Sequence, residues 1–355
     1  MQRLSLKDTL KDIGIMLGNI VIAMLIGSVF ILIQGENPIT VYYYLIIQPL
    51  SDMGGIIKLL AKATPLIFTG LAALVCFRCQ IFNVGVEGQL YLGALAGALV
   101  LLFVKTGSAV LLLIMACIAA MVAGGLWAML AGWLKTRFGV HEVISTIMLN
   151  YVATSILTYV VVDHLKRADG NYSRTEAFQT TFTKLAPPEQ LNTGFFIALF
   201  AVVVVFLLVV YTPTGWRIDA AGKNLESTRY SGINSKTLVI IVMAISGMLA
   251  GLCGIERVAG VYGYLECGFS PGYGYDGMIV AIIGRNNPFG ALIAALFFGL
   301  LYSGGVAMNM YTNVPTEWVY VLISIMFILV AAQDRIIRSS VAGLLRIFKK
   351  KGDEE

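Results

Sequence analysis

The sequence predicts an all-α polytopic membrane protein with about ten transmembrane helices, some broken or re-entrant, forming one transmembrane domain over residues 1–355. Three observations carry that prediction. Hydrophobic residues make up 58% of the chain and charged residues 13%, against about 25% charged in soluble domains, and the mean hydropathy is +0.83. The apolar residues gather into runs close to the roughly 20 residues that a helix needs to cross a bilayer. Lys and Arg cluster at the ends of these runs, so the net charge of +5 reads as membrane orientation rather than nucleic-acid binding.

In chain order the runs lie near 13–33, 56–77, 88–104, 108–134, 142–162, 194–211, 237–257, 276–285, 289–307 and 318–333. The first follows Lys7 and Lys11 and runs on past the length of a signal-peptide core, so it is expected to stay as a span. The third and seventh carry Gly93-Ala-Leu-Ala-Gly97 and Gly247-Met-Leu-Ala-Gly251, and the fourth carries Gly124 and Gly125. Small residues at this spacing let helices approach closely. The fifth opens at Glu142 and Ser145, residues suited to a helix start. The eighth is too short to cross alone. With the ninth it brackets Gly284-Arg285-Asn286-Asn287-Pro288, which reads as a broken or re-entrant helix pair whose loop is buried in protein. Gly88–Val100 and Gly284–Leu296 echo one another weakly, which would relate spans two to five and seven to ten as an inverted repeat.

Placing the N-terminus in the cytoplasm puts most of the 25 basic residues inside, Arg3, Lys7, Arg78, Arg137, Arg217 and Arg335 among them, with both termini cytoplasmic. The long polar segment 163–193 then forms an extracellular loop, with Lys166, Arg167, Glu266 and Asp276 offering charged contacts on that side. The other polar segment, 212–236, is cytoplasmic. Within it Asp219 to Tyr230 is expected to form a short helix closed by Gly232, a handle for a soluble partner.

Several function classes are excluded. There is no GxxxxGK[ST] phosphate loop and no room for a nucleotide-binding domain, so the chain is expected not to be an enzyme. The thiols of Cys76 and Cys79 have CxxC spacing without a second pair or a neighbouring histidine, and read as small apolar filler rather than a metal site. His141 and His164 give too few bases for a serine triad.

Polar residues at membrane depth are costly and need a reason. One group is Asn83, Glu87 and Gln89 around Gly85 and Gly88. A second is Thr146 and Asn150, four apart and so on one helix face. A third is Glu256 with Arg257, which as sequence neighbours on a helix are expected to pair elsewhere. Each group is expected to contact a passing solute or to hold helices together.

At these residues the sequence resembles a known family. Phe77-Arg-Cys-Gln-Ile-Phe-Asn-Val-Gly-Val-Glu-Gly-Gln89, Gly139-Val-His-Glu-Val-Ile-Ser-Thr-Ile-Met-Leu-Asn-Tyr151 and Ile282-Ile-Gly-Arg-Asn-Asn-Pro288 are similar to signature segments of the permeases of bacterial nucleoside ABC importers, within the simple-sugar and branched-chain amino acid permease family. Cys79 departs from the pattern, which has a small residue there. The resemblance implies a type II-like importer permease of the bacterial plasma membrane. It would translocate nucleosides by alternating access, with Asn83, Glu87, Gln89, Thr146 and Asn150 on the pathway. It also implies that the chain carries no cofactor, ATP and Mg being held by a separate ATPase subunit. The implied coupling helix onto that ATPase comprises Asp219, Ala220, Ala221, Gly222, Asn224, Ser227, Tyr230, Gly232 and Ile233. The implied further partners are a second homologous permease in a heterodimer and an extracellular nucleoside-binding lipoprotein. An ion-coupled secondary carrier is the alternative outside this class, and a permease for simple sugars the alternative within it.

Overall fold

The computed structural model describes residues 21–166, 173–224 and 232–330. The expectations for Arg3, Lys7, Lys11, Arg167, Ser227, Tyr230 and Arg335 lie outside the described residues. Among the described residues twelve helical elements follow in order: α1 Val21–Ile33, α2 Pro38–Tyr42 continuing through Tyr43–Ile47 and Gln48–Ser51, α3 Met53–Arg78, α4 Val86–Phe103, α5 Ala109–Phe138, α6 Glu142–His164, α7 Gly194–Tyr211, α8 Pro213–Lys223, α9 Ser235–Tyr262, α10 Tyr273–Ile283, α11 Pro288–Tyr311 and α12 Trp318–Val330. Among the described residues seven helices are long and apolar enough to cross a membrane, and α1, α10 and α12 are shorter apolar helices. These ten coincide with the ten apolar runs.

α2 was not anticipated. Asn37 accepts the Ile39 N–H at 2.9 Å and Pro38 occupies the first turn, a ready helix start. Pro49 and Gln48 then hide the periodicity of Val41, Leu45 and Pro49, the buried face.

The chain divides into two units, Met1–Gln48 with Gly304–Glu355, and Pro49–Ser303. In the first, Tyr42 donates to the Met24 carbonyl at 2.6 Å, Tyr44 stacks on Tyr311 with centroids 4.7 Å apart, and Asn313 donates to Glu36 at 2.7 Å. The second holds the candidate site. There α3, α9 and α4 form the interior, buried along 89%, 72% and 67% of their most apolar stretches, against 28%, 28% and 33% for α5, α6 and α7. The latter three therefore turn broad faces to lipid or to another subunit.

α9 lies against α5 along a seam of glycines. A Cβ added at Gly247 would strike the Gly124 carbonyl, and one at Gly251 the Ala120 carbonyl, so two backbones touch there without intervening side chains. Gly247→Leu is expected to cost more than the ~1–3 kcal/mol typical of overpacking, because rigid backbone must yield. Folded protein recovered by size-exclusion chromatography should fall steeply, while Gly107→Ala, with open space around it, leaves the yield unchanged.

At the end of the unit marked by Asn192, the segment from Ser173 to Asn192 lies along the last turns of α9 and the chain after it. Thr175 donates to the Leu265 carbonyl (2.8 Å), Phe178 to Gly263 (2.8 Å) and Phe182 to Ala259 (3.1 Å), and Phe178, Phe182 and Leu191 are buried. α9 itself overruns the expected limit at 257, continuing as a π-helical stretch to Tyr262. Glu256 and Arg257 do pair elsewhere: Glu256 accepts from Asn192 at 2.8 Å, and the Arg257 guanidinium lies over the rings of Tyr262 and Tyr273.

Candidate functional site

α3 stops at Arg78 because the next residues reverse the chain. Gln80 takes a left-handed conformation (φ 54°), and Ile81 N–H returns to the Cys76 carbonyl at 3.0 Å. The same turn ends α10, with Arg285 at φ 54° and Asn286 N–H on the Ala281 carbonyl at 3.0 Å. Two helix–turn–helix elements, α3 to α4 and α10 to α11, thus share one type of turn. Burial pushes the Cys79 thiol up to about 11, which leaves it protonated at neutral pH and a poor metal ligand.

The polar residues of the first turn form a closed network. Asn83 and Gln89 exchange amide hydrogen bonds at 3.0 and 3.1 Å; Asn83 also accepts from Gly85 N–H at 3.0 Å and donates to Ser246 at 2.9 Å, whose hydroxyl donates to the Ala72 carbonyl at 2.7 Å. Asn83, Gln89 and Ser246 are buried. Their hydrogen-bonding capacity is spent on joining α3, α4 and α9.

The first turn of α4 has no side-chain cap at its N-cap, which is Gly85. Asn150 on α6 supplies one: its Oδ1 accepts Gly88 N–H at 2.8 Å, and its Nδ2 donates to the Val84 carbonyl at 2.9 Å. Glu87 does the same for the half-length helix α10, accepting Gly274 N–H at 2.7 Å. Ser270 accepts the N–H groups of Gly272 and Tyr273, each at 3.2 Å. Thr146 donates to the Glu142 carbonyl of its own helix at 2.7 Å and sits against Gly85. All five predicted pathway residues therefore come together around Gly85 and Gly88, as the frame that holds two interrupted helices. α6 begins at Glu142 as expected, with His141 as its cap (3.3 Å to Val143 N–H) and Glu142 paired to Lys135 at 2.6 Å.

Sequence reasoning missed two features. One is the exposed face of α6. Below the frame residue Asn150 it shows Ile144 and Met148, and beyond it Tyr151, Ser155, Thr158 and Tyr159. Thr154, Ser155, Thr158, Tyr159, Val162 and Asp163 line an open groove of about 400 Å3. Hydroxyls at spacings of four, three and one on a helix of a membrane protein were legible as a stripe. Tyr275 on α10 is also partly exposed, with its hydroxyl 3.4 Å from Asn150.

The other is the junction at Arg78. α8 starts at Pro213, six residues before the expected Asp219, because Thr212 caps it by accepting Gly215 N–H at 3.1 Å and Pro213 fits its first position. It ends at Lys223, where Asn224 turns extended (φ −160°, ψ 108°), so the expected continuous helix from Asp219 to Tyr230 is broken at Asn224; residues 225–231 lie outside the described residues. Asp219, Ala220, Ala221 and Gly222 lie on this helix, Gly232 is left-handed at φ 79°, and Ile233 precedes Asn234, the cap of α9. Ile218 and Ala221 are buried, whereas Trp216, Arg217 and Lys223 are exposed. Arg78 holds Asp219 with two hydrogen bonds, Nε at 2.8 Å and Nη2 at 2.7 Å, and donates through Nη1 to the Asn286 carbonyl at 2.9 Å. One turn along, an added Cβ on Gly222 would meet the Arg78 carbonyl. Asp276, expected among charged contacts at the far end, instead accepts from Tyr302 inside the bundle at 2.8 Å.

Residues 55–331 match the family model described as "Branched-chain amino acid transport system / permease component". The chain is 33% identical over 342 residues to the guanosine ABC transporter permease protein NupP of Bacillus subtilis, covering 94% of this chain and 95% of that protein. It is 31% identical over 325 residues to the nucleoside ABC transporter permease protein NupB of Lactococcus lactis, covering 88% and 89%. It is 29% identical over 348 residues to the glucose ABC transporter permease protein TsgB13 of Haloferax volcanii, covering 94% and 90%.

Proposed function

Because the chain belongs to the branched-chain amino acid transport system permease family, and so is the non-enzymatic multi-pass membrane subunit of an ABC transporter, we propose that it carries nucleosides inward across the plasma membrane. The observation that carries the solute reading is the stripe of exposed hydroxyls and tyrosine rings on α6, facing a groove of about 400 Å3. Ser155 lies exposed on this face, a ribose offers it both donors and acceptors, and a base can stack on Tyr151 or Tyr159. Asn83, Gln89, Thr146, Asn150 and Glu87 are the rigid wall behind that path, and Tyr275 faces it. The names of NupP and NupB support a nucleoside; that of TsgB13 keeps a sugar as the second reading, since the hydroxyl stripe suits both.

In this reading both termini and residues 212–236 are cytoplasmic, and residues 163–193 face outward, where a nucleoside-binding lipoprotein delivers the solute. The exposed face of α8, with Trp216, Arg217 and Lys223, docks on an ATPase subunit that binds ATP and Mg. The open face of α6 meets a second, homologous permease, so that the groove closes between two chains. Counting the chains in the purified complex tests the heterodimer.

Labelled guanosine uptake by vesicles carrying the complete complex is expected to require ATP, to resist ionophores and to be competed by nucleosides more strongly than by glucose. Ionophore-sensitive uptake without ATP would remove the reading, and stronger competition by glucose would transfer it to sugars. Replacing Ser155 with alanine should lower kcat/KM for uptake several-fold, the loss of one hydrogen bond, with membrane abundance unchanged because its side chain is exposed.

A further inference from the structure

We propose that Arg78 is the transmission residue of this permease, tying the cytoplasmic helix α8 to the half-length helix α10 that borders the solute path; this rests on the reading of α8 as the ATPase-docking helix. α8 touches α3 at two places one turn apart, Asp219 on the Arg78 side chain and Gly222 on the Arg78 carbonyl. Both contacts meet Arg78, so a displacement of α8 at Asp219 or Gly222 bears directly on the end of α3.

Arg78 then passes the constraint on. Its third hydrogen bond goes to the carbonyl of Asn286, in the elbow where α10 ends and α11 begins. That elbow is stiff: Arg285 and Asn286 both hold positive φ angles (54° and 53°), and Gly284 and Gly290 touch backbone to backbone. α10 is 11 residues long, about 16 Å at 1.5 Å per residue. Its far end carries Gly274, seated on Glu87, and Tyr275, within reach of Asn150. A displacement of α8 is thus delivered through one guanidinium to a rigid rod whose other end lies at the frame around Gly85 and Gly88.

Arginine suits this place because a planar fork can hold a carboxylate with two parallel bonds and still present a further N–H in a fixed direction, which lysine cannot. Arg78 and Asp219 are only partly exposed, at 24% and 38% of their side chains, so the pair is shielded more than a surface ion pair. Arg78 is a positioning residue, and it touches neither solute nor nucleotide.

The test uses the complete importer in vesicles and reads labelled nucleoside imported per ATP hydrolysed. Arg78→Lys and Asp219→Asn, which keep side-chain size, are each expected to lower that ratio about ten-fold, and the double variant to be no worse than either single, because both remove one link. The charge-reversed pair R78D/D219R should restore the tie to α8 but not the ratio, because an aspartate at 78 has no N–H to give the Asn286 carbonyl. A residue that merely supported folding would lower the amount of complex and leave the ratio intact. Additive losses in the double variant, or single variants with a normal ratio, would overturn the proposal. A photo-cross-linking residue at exposed Lys223 reports on the docking reading separately. A cross-link to the ATPase with a normal ratio in the single variants removes the Arg78 proposal alone. The lack of any cross-link in every nucleotide state removes the docking reading itself.

Discussion

Asn83→Leu is expected to remove most of the folded permease from the membrane. The substitution keeps the branched outline of the side chain, but it strands Gly85 N–H and both halves of the Gln89 amide in a buried site. Each orphaned group costs about 1–3 kcal/mol, and three of them consume much of the ~5–15 kcal/mol that typically separates folded from unfolded chains. Ser246 keeps its bond to the Ala72 carbonyl, so the damage centres on the start of α4. The double variant Asn83→Leu/Gln89→Leu should regain part of the yield, because both members of the amide pair then become apolar together. Size-exclusion profiles of solubilised protein read the outcome. Full recovery of the single variant would mean that the network contributes little.

Glu87 should behave differently, with transport rather than abundance as the first casualty. Glu87→Ala removes the acceptor of Gly274 N–H and frees the start of α10 from α4. One buried N–H without a partner costs about 1–3 kcal/mol, so uptake is expected to fall roughly 10- to 100-fold at about 1.4 kcal/mol per factor of ten. Glu87→Gln, which keeps a carbonyl oxygen in place, should retain most of the uptake. Equal loss in both variants would assign the role to the negative charge instead of to the hydrogen bond.

The helices were largely legible because crossing a bilayer imposes a length and an apolar composition on every span, and α7 was bounded at 194 and 211 from that alone. α2 was not, since Pro49 and three tyrosines between 42 and 44 obscure a buried face of only three residues. The frame residues were found as a group because buried amides and a carboxylate stand out in apolar sequence. What each bonds was not readable: Asn150 reaches Gly88 across 62 residues, and Arg78 reaches Asp219 across 141 and Asn286 across 208. Such pairings depend on how helices cross, which no local pattern encodes. The hydroxyl stripe on α6 was visible in the sequence but gains its meaning only from the burial of the opposite face, where Ser145, Thr146, Asn150, Ala153 and Leu157 pack inward.

The capped starts of α4 and α10 bear on which cargo is turned away. A helix begun inside a membrane ordinarily displays free amide hydrogens and a partial positive pole, an attractive berth for a phosphate or carboxylate. Here Gly88 and Gly274 already donate to Asn150 and Glu87, and Gly272 and Tyr273 to Ser270, so a phosphorylated solute would have to shed its water while these amides stay engaged.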